Sequence, residues 1–130
     1  MIIKLYGKEY KVNLTVASYS QYGNLALQLI HTDDDGYLEP FGFITKNLSN
    51  VDKFQAFLDV NNMPGIEVFV QKYKLGVPKG TMASSGYCMY PLYEFDEAVL
   101  RSYDNYGVDK YLKVNDYKKG VHNENKRNRS

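Results

Sequence analysis

The sequence predicts an α+β fold: an antiparallel sheet of four to five strands with one or two helices on one face. Three observations support this. Apolar residues alternate with polar ones through most of the first 45 positions, and one later segment changes to helical spacing. The length of 130 residues suits one core, and a 44% hydrophobic content with 13 Tyr and 6 Phe is rich enough to close it.

Ile2–Tyr6 and Tyr10–Val16 read as paired strands joined by Gly7-Lys8-Glu9, a three-residue hairpin loop. In the second run Tyr10, Val12, Leu14 and Val16 alternate with Lys11, Asn13 and Thr15, marking one buried and one wet face. Tyr19–Gly23 reads as a loop, and Leu25, Leu27 and Leu29 mark a third strand ending near His31. Asp33-Asp34-Asp35-Gly36 supplies turn residues. Tyr37–Thr45 then resumes an extended pattern with Phe41, Phe43 and Thr45 on one side, and Pro40 favours an edge or a strand start.

Phe54–Val60 fits both helical and strand spacing and is read as a strand. Asn61 and Asn62 offer caps, Pro64 suits a first helical turn, and Ile66, Phe69, Val70 and Tyr73 recur at helical intervals. Gly76 and Pro78 end a helix of about three turns. Lys79–Gly86 is small, polar and aperiodic, a loop of the mobile or functional kind. Tyr87–Phe95 is extended, and Asp96 caps a last helix carrying Ala98, Val99, Leu100 and Tyr103. Tyr106, Tyr111, Leu112, Val114 and Tyr117 form a short annex, closing a domain of residues 1–117. Residues 118–130 are expected to be a disordered basic tail.

The net charge of +1 is uneven. Lys118, Lys119, Lys126, Arg127 and Arg129 oppose only Glu124 in the tail, leaving 11 basic and 14 acidic residues in the body. An acidic body disfavours duplex binding through the folded face, because phosphate neutralisation needs clustered Lys and Arg. Cys88 is the only cysteine, so no internal disulfide forms. The start lacks a secretory apolar region of about 7–15 residues, and no run of about 18 apolar residues occurs. A cytoplasmic location is expected, without membrane contact.

Catalytic chemistry finds little support. Two His and one Cys, far apart, make a poor zinc set, and no cofactor or metal is expected. A calcium loop with Gly36 at its sixth position begins at His31 and ends at Gly42, where acids are required. Cys88 becomes a nucleophile only if His31 opposes it; otherwise it is core filler. Gly80–Gly86 lacks the Lys and Ser/Thr ending of a phosphate loop. Glu94, Asp96 and Glu97 are the acids that helix capping selects. The expectation is a protein that is not an enzyme.

The candidate partner-binding residues are Asp33, Asp34 and Asp35 in the acidic turn, with Tyr87, Tyr90, Tyr93 and Glu94 beside the Gly80–Gly86 segment. Rigid aromatics next to a small-residue loop make a workable recognition surface. The same tyrosines suit a half-buried sheet face, and periodicity leaves both readings open.

Asp59-Val-Asn-Asn-Met-Pro-Gly65, the helix to Gly76 and Ser85-Gly-Tyr-Cys-Met-Tyr-Pro-Leu-Tyr-Glu-Phe-Asp96 carry a family resemblance. Leu5–Tyr10 and Gly23–Leu29 add to it. Over about residues 2–100 the chain resembles a domain-of-unknown-function family of small proteins carried on plasmids, conjugative elements and phages of Gram-positive bacteria. The family has no assigned catalytic residue. The resemblance implies an accessory protein of a mobile element, most simply an anti-CRISPR-like inhibitor that binds a host defence protein such as a CRISPR effector nuclease. The alternative is a nucleic-acid-binding accessory protein of element transfer or replication, using Lys118, Lys119, Lys126, Arg127 and Arg129.

Overall fold

Alternating apolar residues build the first sheet. In the computed structural model of the chain, which describes side chains through Asp116 and backbone through Arg129, β1 (Ile2–Leu5) and β2 (Lys8–Ser18) form an antiparallel hairpin. Leu5 pairs directly with Lys8, so the connection is Tyr6-Gly7 and Lys8 and Glu9 belong to the strand. Tyr6 and Gly7 both have positive φ, 49° and 80°. A two-residue I′-type turn requires this, and its twist suits the strands better than the expected three-residue loop.

β3 (Leu25–Thr32) and β4 (Leu38–Phe43) complete the order β1-β2-β3-β4. Val12, Leu14 and Val16 are buried while Lys11 and Asn13 are exposed, as the alternation predicts. Pro40 lies on the edge strand β4. Leu29 faces Gly42 and Ile30 faces Pro40, so Phe41 is the extra residue of a bulge.

The remaining strands form a second sheet of order β5-β6-β8-β7. They are β5 (Thr45–Lys46), β6 (Gln55–Leu58), β7 (Gly76–Ser85) and β8 (Cys88–Phe95). The α+β class and antiparallel pairing agree with the sequence, with the strands divided over two sheets. Ile44 joins them: its N–H donates to the Leu27 carbonyl and its carbonyl accepts from the Asp59 N–H, both at 2.9 Å. Residues 79–85, expected as a loop, belong to β7. An outermost strand with both faces exposed needs no period-two burial, so its sequence carries none.

α1 (Ile66–Lys72) is about two turns long, shorter than its spacing suggests. Its N-cap is Gly65 at φ 85°, with no side-chain cap. Asn62 instead donates through Nδ2 to Asp59 Oδ2 at 2.8 Å. Ile66, Phe69 and Val70 are buried, and the Tyr73 hydroxyl accepts the Ile2 N–H at 2.7 Å, tying β1 to the helix.

α2 (Glu97–Arg129) begins as predicted, with Asp96 Oδ1 accepting the Val99 N–H at 3.0 Å. It breaks at Asp104, where φ is −152° and ψ 78°. Asp104 Oδ1 accepts the Gly107 N–H at 2.9 Å, capping the second helical segment. Its Oδ2 accepts the Val16 N–H on the open edge of β2 at 2.8 Å. Val108 and Tyr111 reach the main core, so this part of the expected annex is integral, whereas Tyr106 and Val114 are exposed. The tail expected over 118–130, with Lys118, Lys119, Lys126, Arg127 and Arg129, lies outside the residues whose side chains are described.

A Cβ on Gly107 would overlap Asp104 Oδ2 and the Val16 carbonyl. On an exposed helix Gly→Ala adds roughly 1 kcal/mol of stability. Here the added methyl has no room, and Gly107→Ala is expected to lower the unfolding free energy by about 1–3 kcal/mol in urea titration. Asp104→Ala loses a cap and a charge-assisted bond, and is expected to cost about 2–4 kcal/mol. An unchanged urea midpoint for Gly107→Ala would show that α2 does not seat on β2.

Candidate partner-binding surface

The β3–β4 connection is held by its own first residue. Asp33 Oδ1 accepts the N–H groups of Asp35 at 3.0 Å and Tyr37 at 2.9 Å. The Asp33 carbonyl accepts the Gly36 N–H, and the Asp33 N–H donates to the Tyr37 carbonyl, both at 3.0 Å. This is the side-chain-closed turn for which Asp is favoured, and Gly36 takes its left-handed position at φ 86°. Asp33 is therefore a turn former, while Asp34 and Asp35 are exposed.

Tyr37 and Leu38 follow at 72% and 70% exposure, with exposed Glu39 next. Two apolar side chains thus lie among three carboxylates. Nearby, the His31 Nδ1–H donates to the Lys11 carbonyl at 3.0 Å, and its ring meets Tyr10 edge-on at 5.8 Å. Tyr10 in turn packs on Phe41 at 5.0 Å, stiffening the hairpin below its tip.

The tyrosine-rich segment divides differently from expectation. Tyr87 is fully exposed at the β7–β8 turn, but Tyr90 and Tyr93 are 5% and 0% exposed and present no surface to a partner. Three residues apart on a strand, they point to opposite faces and each is covered at its own position, while Met89 and Glu94 of the same strand stay exposed. The Tyr93 hydroxyl donates to Glu67 Oε1 at 2.7 Å and accepts from Gln71 Nε2 at 3.1 Å. Lys46 Nζ sits 5.8 Å from the Tyr90 ring centre. Glu94 is exposed and paired with Lys79 at 3.3 Å.

The acidic turn and the tyrosine segment belong to different sheets, and among the described residues no hydrogen bond or ion pair joins them. Cys88 and His31 are likewise on separate sheets, and the His31 ring is engaged by Lys11 and Tyr10. Tyr37 and Leu38 were not among the residues the sequence reading selected. The available signal was their place directly after an Asp-Gly turn, on a strand that Pro40 marks as an edge.

A groove of about 820 Å³ lies between the end of α1 and the start of α2, lined by Phe54, Gln71, Lys74, Val77, Glu94 and Asp96. Phe54 and Lys74 are left-handed at φ 63° and 55°, conformations that cost such residues roughly 1–2 kcal/mol each. The Tyr111 hydroxyl accepts the Phe54 N–H at 2.9 Å, and the Phe54 carbonyl accepts the Phe95 N–H at 2.8 Å. Glu94 is paired with Lys79 and Asp96 caps α2, so these groove acids already have partners. Among the described residues no cluster of His, Cys, Asp and Glu is placed to hold a metal, and no helix is long and apolar enough to cross a membrane.

Burial raises the ionisation of Tyr19, Tyr93 and Tyr111 above the ordinary 10.0, and for Tyr93 the bond to Glu67 adds to the effect. A raised folded value means that the stability held by the neutral phenol is complete below pH 10 and falls as pH rises past it. In a spectrophotometric titration these tyrosines are expected to ionise last, together with alkaline unfolding. A single titration of all the tyrosines near their ordinary value, with the fold intact, would contradict this.

A family model described as Domain of unknown function (DUF4313) matches residues 13–115. No curated protein and no solved structure matches. The matched span begins later than the expected residue 2, leaving out Leu5–Tyr10, and continues past the expected end near residue 100 to take in Asp104 and Gly107.

Proposed function

The chain belongs to the DUF4313 family, and from that premise we propose that it is a non-enzymatic accessory protein of a mobile genetic element. In this reading it inhibits a host defence nuclease, of the CRISPR-effector kind, by direct binding. The observation that carries the reading is the β3–β4 tip, where Asp34, Asp35 and Glu39 surround exposed Tyr37 and Leu38. A nuclease channel that holds nucleic acid is lined with Lys and Arg, and displayed carboxylates are the complementary charge. Tyr37 supplies an aromatic anchor of the type that dominates interface energetics, and Leu38 adds apolar area beside it. Because Asp33 closes the turn internally, the tip is already ordered before binding, which limits the entropy lost on association.

The test is a native gel containing a guide-loaded CRISPR effector nuclease, single-stranded DNA and duplex DNA. Stoichiometric protein is expected to shift the nuclease complex and abolish target cleavage. The double charge reversal Asp34→Lys/Asp35→Lys, and separately Tyr37→Ala, are expected to weaken the shift by about tenfold or more. The reading fails if no defence nuclease is slowed, or if the charge reversal inhibits as well as the unmodified chain.

The five basic residues in 118–130 favour a second reading, a nucleic-acid-binding accessory protein of transfer or replication. Its signature is a shift of DNA alone that weakens steeply with salt and vanishes when residues 118–130 are removed.

A further inference from the structure

The β7–β8 hairpin ends in an open strand edge. β7 is outermost in its sheet, and from Gly80 to Tyr93 the chain contains no charged residue. The first half of β7 is blunted: Pro78 lacks an N–H, Lys79 is charged, and the register breaks between Pro78 and Met82. The outer strands of the other sheet are guarded too. β4 carries Pro40 and a bulge, and β1 is short with its Ile2 N–H taken by Tyr73. Residues Thr81–Ser85 have none of these protections.

The hairpin geometry indicates what this edge presents. Gly86-Tyr87 is a two-residue turn, so Ser85 and Cys88 form the closing hydrogen-bonded pair. Alternation then turns the backbone N–H and C=O of Met82 and Ser84 outward. The pairing of Met82 with Pro91 fits, since a non-hydrogen-bonded position asks no N–H of proline. Ser84 faces Met89, so Met82 and Met89 share one face of the hairpin, 52% and 48% exposed.

We infer that this edge pairs with the same edge of a second copy of the chain, antiparallel through Thr81–Ser85, about a two-fold axis at Ala83. In that register Met82 of each copy exchanges backbone hydrogen bonds with Ser84 of the other, four bonds in all. Ala83 meets its own image at a non-hydrogen-bonded position, where Cα atoms approach to about 4.5 Å and its methyl group meets no obstruction. Charge selects the occupant: across a two-fold axis every charge on the axis faces itself, so self-pairing suits an uncharged tract. The exposed methionines of both copies then bury one another. The pairing uses the open edge of both copies, so it closes as a dimer and does not propagate.

Sedimentation equilibrium from ~10 μM to ~1 mM is expected to show a monomer–dimer equilibrium. Ser84→Pro removes an outward N–H while sparing the ladder to β8, and Met82→Lys brings two ammonium groups together near the axis. Each is expected to raise the dimer Kd by about tenfold or more with an unchanged far-ultraviolet dichroism spectrum. In the unmodified chain, amide exchange at Met82 and Ser84 is expected to slow as concentration rises. A chain that stays monomeric throughout the range, a dimer indifferent to both substitutions, or exchange rates independent of concentration would overturn the inference.

Discussion

The carboxylate of Asp104 resolves two problems of unsatisfied backbone at once. β1 covers β2 only as far as Lys11, with Met1 adding a bond to Val12, so the Val16 N–H faces outward. At the break in α2, the second helical segment also begins with N–H groups that have no partner within the helix. Asp104 accepts one bond from each. Gly107 lets the helix approach closely enough for both, because any Cβ there would strike the strand. From this seat Val108 and Tyr111 reach the core, and Tyr111 accepts the N–H of left-handed Phe54. The Phe54 carbonyl then receives Phe95 at the end of β8. A single anion therefore couples the first sheet, the last helix and the second sheet.

Ile44 and Asn24 hold the middle of the molecule. Ile44 bonds to Leu27 on one side and Asp59 on the other, allowing one stretch of chain to leave the first sheet and enter the second. Buried Asn24 donates to Asn47 Oδ1 at 2.8 Å and to the Ser49 carbonyl at 2.7 Å, fixing the connection that follows. A buried amide with several partners is costly to replace, since truncation leaves those partners unpaired. The β3–β4 and β7–β8 tips consequently sit on different sheets and share no hydrogen bond or ion pair among the described residues.

That separation matters for function. The first tip is acidic with an apolar centre, and the second is uncharged with exposed Tyr87 and methionines. In the proposed readings, charge complementarity would govern encounter at the first, whereas backbone pairing and thioether contact would govern the second. The proposed inhibition and the proposed self-association draw on distinct chemistry and distinct residues. A dimer of this kind would present two acidic tips, which multiplies avidity only where a target offers two sites within reach.

The local elements were legible where one side chain or one period decides them. Alternation located β2 and β3, Pro40 marked an edge, and Asp96 capped α2 as its type and place indicate. The acidic turn was legible too, although Asp33 spends its carboxylate on the turn and leaves the surface to Asp34, Asp35, Tyr37 and Leu38. Residues 79–85 hid their strand because an exposed edge imposes no pattern. Tyr90 and Tyr93 looked available because the groups that meet them come from far along the chain, Lys46 over the Tyr90 ring and Glu67 and Gln71 on the Tyr93 hydroxyl. The helix break at Asp104 depends on Val16, 88 residues away. The sequence by itself determined the α+β class, the strand periodicities and the acidic turn, since these follow from interactions within a few residues. The tertiary structure alone decided the division into two sheets, the burial of the tyrosines and the seat of the last helix, because hydrogen bonds and close contacts across long separations settle where a side chain ends.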